Sequence, residues 1–230
     1  MLLLIIVLGV SRLFEILISA MQSPLTPMAE EAASGGLGLT LFLLVAQNVI
    51  LLAAVYMVIL RPYRLRLADL GLGRLQSSHI RLGILGGLLS LPLVAMINSS
   101  VQSLQDAPLN NPQIEIFASG GFSLDALVGF LILGGLVAPF TEEIAFRGVL
   151  LGWLRNRMAT AAAIFVSGFA FAVLHGIPQL VPAITVLGMV LAYLRHASNS
   201  LWPALVAHGV FNIAMTVAIY AALAQGLEIG

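Results

Sequence analysis

The residues able to do chemistry in this chain are Glu142, Glu143, Arg147, His175, His208 and Asn212, and they stand in or beside long apolar runs. An ionisable group placed inside such a run costs about 2.5–3.5 kcal/mol on insertion scales, so each is a candidate for function by default. Consecutive helical positions point about 100° apart, so Glu142 and Glu143 cannot share one task. Glu143 precedes Arg147 by four residues, the favourable order for an intrahelical ion pair, and that pairing accounts for it structurally. Glu142 has Phe146 at the equivalent position and no basic partner in its own helix. A carboxylate left unpaired in a low dielectric is a strong proton acceptor once water reaches it, which makes Glu142 the expected general base.

Two further helices complete the cluster. His175 precedes Pro178 near the end of one apolar run, and His208 and Asn212 lie one turn apart on another. Glu142 with His175 can hold and deprotonate a water, while His208 and Asn212 can donate to an oxygen that gains negative charge. Hydrolysis of a peptide bond needs that division of labour. Each residue also has a plain structural reading: Arg147 as half of an ion pair, a single membrane histidine as an interhelical hydrogen bond. The conjunction is what favours chemistry. His79 and His196, set among arginines, are expected in solvated loops, Arg12 with Glu15 as a packing pair, and Tyr193, Trp153 and Trp202 as interfacial anchors.

The elements that must position these side chains follow from composition. Of 230 residues, 60% are apolar and 9% charged, and the mean hydropathy is +1.06, far from the usage of soluble domains. Lipid is the expected solvent, and in lipid only helices or closed barrels satisfy the backbone; these runs are too long and continuous for barrel strands. The expected fold is therefore all-α, a polytopic transmembrane bundle. Runs of about 20 apolar residues occur near 1–21, 38–60, 82–101, 122–146, 160–177, 181–195 and 202–224, seven spans, with 147–159 expected to extend the fourth. Residues 1–121 form amino-terminal membrane helices of unassigned role, and 122–224 hold every candidate site residue. Zero net charge without Lys argues against a nucleic-acid partner, and the absence of Cys excludes disulfides and thiolate chemistry. Arg61, Arg64, Arg66, Arg74, Arg81, Arg155, Arg157 and Arg195 fall in alternate connections from Glu30, Glu31, Asp106, Glu115 and Asp125, which predicts a cytoplasmic amino terminus.

Three stretches resemble known signatures. Glu142-Glu143 with Arg147 resembles an EExxxR motif, Phe171 to His175 an FxxxH motif, and His208 to Asn212 an HxxxN motif, with Asn199-Ser200-Leu201-Trp202-Pro203 ahead of the last. In that order they resemble the CAAX protease and bacteriocin-processing family of intramembrane glutamic endopeptidases, over about residues 122–220. The resemblance implies an eight-helix bundle, so one span beyond seven. It implies that Glu142 and His175 activate water, that His208 and Asn212 form the oxyanion site, and that Glu143 and Arg147 support them. It further implies a peptide or lipidated protein substrate met at the bilayer. No cofactor is expected. Zinc on Glu142, His175 and His208 is the alternative, disfavoured because no two histidines share a helical face and Asn212 is a poor ligand.

Other intramembrane proteases fit less well: no His is followed by Glu in a zinc motif, Asp125 stands alone, and Ser167 lacks the glycine that usually leads a serine site. The rivals of another class are a proton-coupled transporter, which would use the same buried polar residues, and a catalytically silent member acting as an immunity or binding protein. The arginine-only, Leu- and Ala-rich composition points to a bacterial plasma membrane.

Overall fold

The computed structural model describes residues 36–105 and 121–226, together with Asn111 and Ile114. The expected span at 1–21, its Arg12 and Glu15, and the acidic Glu30, Glu31, Asp106 and Glu115 lie outside the described residues. Among the described residues every regular element is helical and none is a strand. We number α1 Gly36–Val55, α2 Ser77–Gln105, α3 Leu124–Arg155, α4 Thr160–Val173, α5 Val181–Ser198 and α6 Trp202–Ala224.

Five helical segments among the described residues are long and apolar enough to cross a membrane: Leu37–Tyr63, Ser77–Gln105, Leu124–Arg155, Pro178–Ser198 and Trp202–Ala224. Thr160–Val173 is apolar but shorter. Of the seven expected spans, five are found among the described residues, the run at 160–177 is a shorter apolar helix, and the run at 1–21 lies outside them. The stretch 147–159 does extend α3, as far as Arg155.

Local chemistry sets the ends. The Ser123 hydroxyl accepts from the Ala126 N–H to cap α3, with Asp125 in the first turn. Pro182 and Pro203 occupy the opening turns of α5 and α6, where a missing N–H is harmless. Asn199, at φ 51°, turns the chain out of α5. Helix α3 is not uniform: π turns at Leu133–Val137 and Ile144–Leu150 flank the α-helical stretch Ala138–Glu143. Such turns recur at functional positions.

Where hydrocarbon surrounds the helices, burying apolar side chains gives little drive to associate, and close approach of backbones carries the packing. Gly83 and Gly87 on α2 meet α6: a Cβ on Gly83 would stand 2.5 Å from Val206, and one on Gly87 2.6 Å from the Ala207 carbonyl. Gly168 and Gly188 join α4 and α5 in the same way, a Cβ on Gly188 falling 2.7 Å from the Gly168 Cα. Large apolar side chains such as Phe42, Leu89, Met96 and Leu136 are more than half exposed and point outward.

The connection after α1 folds back under the bundle. Leu70 is buried against Ile144 and Phe146, the Gly71 carbonyl accepts from Leu201 N–H at 2.9 Å, and Arg195 donates to the Leu70 carbonyl at 3.2 Å. The arginine-rich connection and the end of α5 therefore share one end of the molecule. Trp202 donates its indole N–H to Gly73 at 2.8 Å. Two sequence expectations change here. His79 lies in the first turn of α2, half-buried and near the Ser200 hydroxyl, because Ser77 starts that helix earlier than hydropathy does. His196 belongs to the last turn of α5, with its Nδ1 buried.

Gly188→Ala is expected to lower stability by about 1–3 kcal/mol, the usual cost of overpacking. Gly152→Ala, whose added Cβ meets nothing within 4 Å, should leave thermal unfolding in detergent unchanged.

Candidate active site

The site is assembled around α3. The Glu143 and Arg147 side chains are both fully buried and form an ion pair, Arg147 Nη1 donating to Glu143 Oε1 at 2.8 Å. The sequence spacing anticipates this pair; the wider π turn at Ile144–Leu150 keeps both residues on one face. Arg147 also donates from Nη2 to the Gly188 carbonyl at 3.0 Å. That approach is possible because Gly188 carries no side chain: a Cβ there would lie 3.3 Å from Nη2. The guanidinium covers the Phe171 ring at 4.3 Å, a cation–π contact that partly replaces lost hydration.

His208 on α6 reaches the same carboxylate. Its Nδ1 stands 3.0 Å from Glu143 Oε1, and its Nε2 stands 3.8 Å from Glu142 Oε2. A carboxylate only accepts, so Nδ1 is the nitrogen that carries a proton. One imidazole thus spans both glutamates, a cross-helix contact that helical spacing within α3 cannot reveal. The two acids differ sharply in access: the Glu142 side chain is 23% exposed and that of Glu143 is 0%.

His175 follows α4, where Gly176 at φ 72° turns the chain away. Its Nδ1 lies 2.8 Å from the Phe171 carbonyl, and because a carbonyl only accepts, Nδ1 carries the proton and Nε2 presents a lone pair. Phe171 organises the group: its ring meets His175 edge-on at 4.5 Å, His208 at 5.6 Å and Phe146 at 5.1 Å. Sequence reasoning notes Phe171 only as a motif letter.

Asn212 is placed differently from its motif partner. It donates from Nδ2 to the Gly134 carbonyl at 2.9 Å, which anchors α6 to the first π turn of α3 and leaves the second Nδ2 hydrogen unassigned. It also lines a cavity that His208 does not reach.

One site residue, Asn48, escapes the sequence reading, which singles out Thr141 beside the glutamates without a partner for it. Asn48 on α1 is buried, donates to the Leu44 carbonyl at 2.7 Å and accepts from the Thr141 hydroxyl. Thr141, wholly buried, immediately precedes the glutamates, so this bond fixes α1 against the glutamate-bearing stretch of α3. The available signal was an amide inside a long apolar run. Among the described residues no three His, Cys, Asp or Glu side chains converge as a metal-binding group.

Arg147→Met strands the Glu143 charge in a dry interior. Unfolding in detergent should show a loss of about 3–5 kcal/mol, and the double variant Glu143→Leu, Arg147→Met should recover much of it.

No curated protein and no solved structure matches the chain. Residues 124–214 match the family model described as Rce1-like, type II CAAX prenyl endopeptidase Rce1-like. The matched segment carries Glu142, His175, His208 and Asn212, and its apolar helices make this an integral membrane protein. Over residues 124–214 the chain is thus similar to the Rce1-like type II CAAX prenyl endopeptidases.

Proposed function

We propose that the protein is an intramembrane peptidase in which Glu142, assisted by His175, activates the attacking water. The observation that carries this reading is the difference between the two glutamates. Glu143 is closed off by Arg147 and His208, whereas Glu142 is accessible and faces His208 Nε2 at 3.8 Å. Only Glu142 is free to meet water and substrate.

In the proposed reaction water lies between the Glu142 carboxylate and the His175 Nε2 lone pair. Glu142 takes one proton as the water oxygen bonds to the scissile carbonyl carbon, and the carbonyl electrons move to oxygen. The second Nδ2 hydrogen of Asn212 stabilises that oxyanion, joined by Nε2–H of His208 when the imidazole is doubly protonated and held by Glu143 through Nδ1. Collapse re-forms the carbonyl and breaks the C–N bond, and the proton held by Glu142 passes to the departing amine. Glu143 and Arg147 position His208 and never touch the substrate.

The substrate in this reading is a peptide or lipidated protein presented by the bilayer. The chain resides in a bacterial plasma membrane with its arginine-rich end cytoplasmic. No metal enters the scheme: the donor set splits between a carboxylate engaged with His208 and a histidine on a separate helix, and Asn212 suits an oxyanion better than zinc.

With reconstituted protein and a peptide library, Glu142→Gln is expected to lower turnover by about 10²–10⁴ with an unfolding temperature near wild type, His175→Ala to lower it by about 10²–10⁴, and Asn212→Ala by about 10²–10³ with a modest loss of stability from the missing bond to Gly134. Full activity in Glu142→Gln defeats the mechanism. Activity should also survive a chelator; loss reversed by added zinc overturns the metal-free scheme.

A further inference from the structure

Helices α1, α3 and α5 finish, and α2, α4 and α6 begin, at one end of the bundle, where Arg195 and Trp202 bond the connection that follows α1. That end carries Arg61, Arg64, Arg66, Arg74, Arg81 and Arg157, all exposed. Among the described residues one surface carboxylate accompanies them, Asp69, and it is already paired with Arg66 at 3.6 Å. No described residue engages the side chains of Arg61, Arg64, Arg74 or Arg81 in a hydrogen bond or ion pair. Apolar side chains alternate with these cations: Tyr63, Leu65, Leu67 and Leu75 are 70%, 37%, 41% and 43% exposed. A single exposed leucine is ordinary on a protein surface. Large apolar groups interleaved with arginines just beyond a membrane helix suit a segment lying at headgroup depth. Arg64, at φ 52°, adopts a left-handed conformation rare outside glycine and turns the chain aside as soon as the span Leu37–Tyr63 ends. Both tryptophans of the chain stand at this end, Trp202 bonded to Gly73 and Trp153 beneath the Arg157 guanidinium at 4.1 Å, and such rings favour the membrane interface.

We propose that the connection at 61–75 is a binding surface for anionic phospholipid, with Arg61, Arg64 and Arg74 pairing with headgroup phosphate and Tyr63, Leu65, Leu67 and Leu75 resting among the upper carbons of the acyl chains. Arginine suits this partner because its planar fork meets phosphate oxygens with two parallel hydrogen bonds. A soluble phosphate would satisfy the arginines and leave the leucines in water, so lipid accounts for both halves of the pattern. The surface is preformed: Leu70 is buried against Ile144 and Phe146, and Leu201, Arg195 and Trp202 bond the backbone at 70–73. It lies apart from the Glu–His cluster and is independent of whatever reaction that cluster performs.

The test uses the full-length protein in vesicles of phosphatidylcholine mixed with phosphatidylglycerol, one of the two lipids being brominated on its acyl chains. Bromine quenches indole fluorescence on contact, so the tryptophans at this end report which lipid stands beside it. Wild type should be quenched preferentially by brominated phosphatidylglycerol, and about 1 M salt, where the screening length falls to about 3 Å, should reduce that preference. In Arg64→Gln with Arg74→Gln the preference should fall by up to about fivefold for each arginine, the effect of one basic residue near an anionic surface, while the unfolding temperature in neutral detergent stays at the wild-type value. Equal quenching by both lipids in wild type, a preference indifferent to salt, or an unchanged preference in the double variant overturns the proposal. Relief of the quenching by glycerol phosphate would assign the arginines to a soluble phosphate, and relief by an acidic peptide to a protein partner; either result overturns the lipid assignment.

Discussion

A buried carboxylate and guanidinium hold the centre of this structure together. Neither Glu143 nor Arg147 exposes any side-chain surface, and removing two charges from water is repaid only when their remaining donors and acceptors are also engaged. The bundle engages several of them and leaves Glu143 Oε2 and Arg147 Nε buried without a hydrogen-bond partner. Glu143 Oε1 takes bonds from Arg147 and His208, and Arg147 reaches across to Gly188 and lies on Phe171. Helices α3, α4, α5 and α6 thereby converge on one ion pair, and their mutual angles are constrained by it.

That constraint explains why glycines recur where they do. Arg147 can bond the Gly188 carbonyl only if α5 comes close to α3, and α5 can lie there only if Gly168 and Gly188 let it pass α4 at backbone distance. In a membrane, where small residues and interhelical hydrogen bonds replace hydrophobic drive, a glycine crossing and a buried polar network are parts of one solution. The Asn48–Thr141 bond adds α1, and the Gly83 and Gly87 contacts add α2. Helices beyond the family-matched segment are thus packed against the same centre.

The adjacent acids differ in what surrounds them: Glu143 is buried against Arg147 and His208, whereas Glu142 is partly exposed. In the proposed mechanism this separates their roles, and the charges around the water are already aimed before reaction. Phe171 supports it from the other side by bracing both imidazole rings.

Much of this was legible in the residue order. Hydropathy implies helices, since lipid forbids unpaired backbone groups, and the end of α3 past Arg147 and the bounds of α6 follow closely. Spacing within one helix pairs Glu143 with Arg147 and leaves Glu142 without a partner there, because four residues return to the same face whatever surrounds the helix. Contacts between helices were not legible, as they depend on crossing angles and glycine approaches that no spacing encodes. Only the tertiary structure gives Glu142 its neighbour His208, bonds Asn212 to Gly134, and joins Asn48 to Thr141. The sequence alone determined which carboxylate stood free along its own helix; the packing of α6 against α3 decided what that carboxylate faces, because a histidine 65 residues away becomes a neighbour only when two backbones meet.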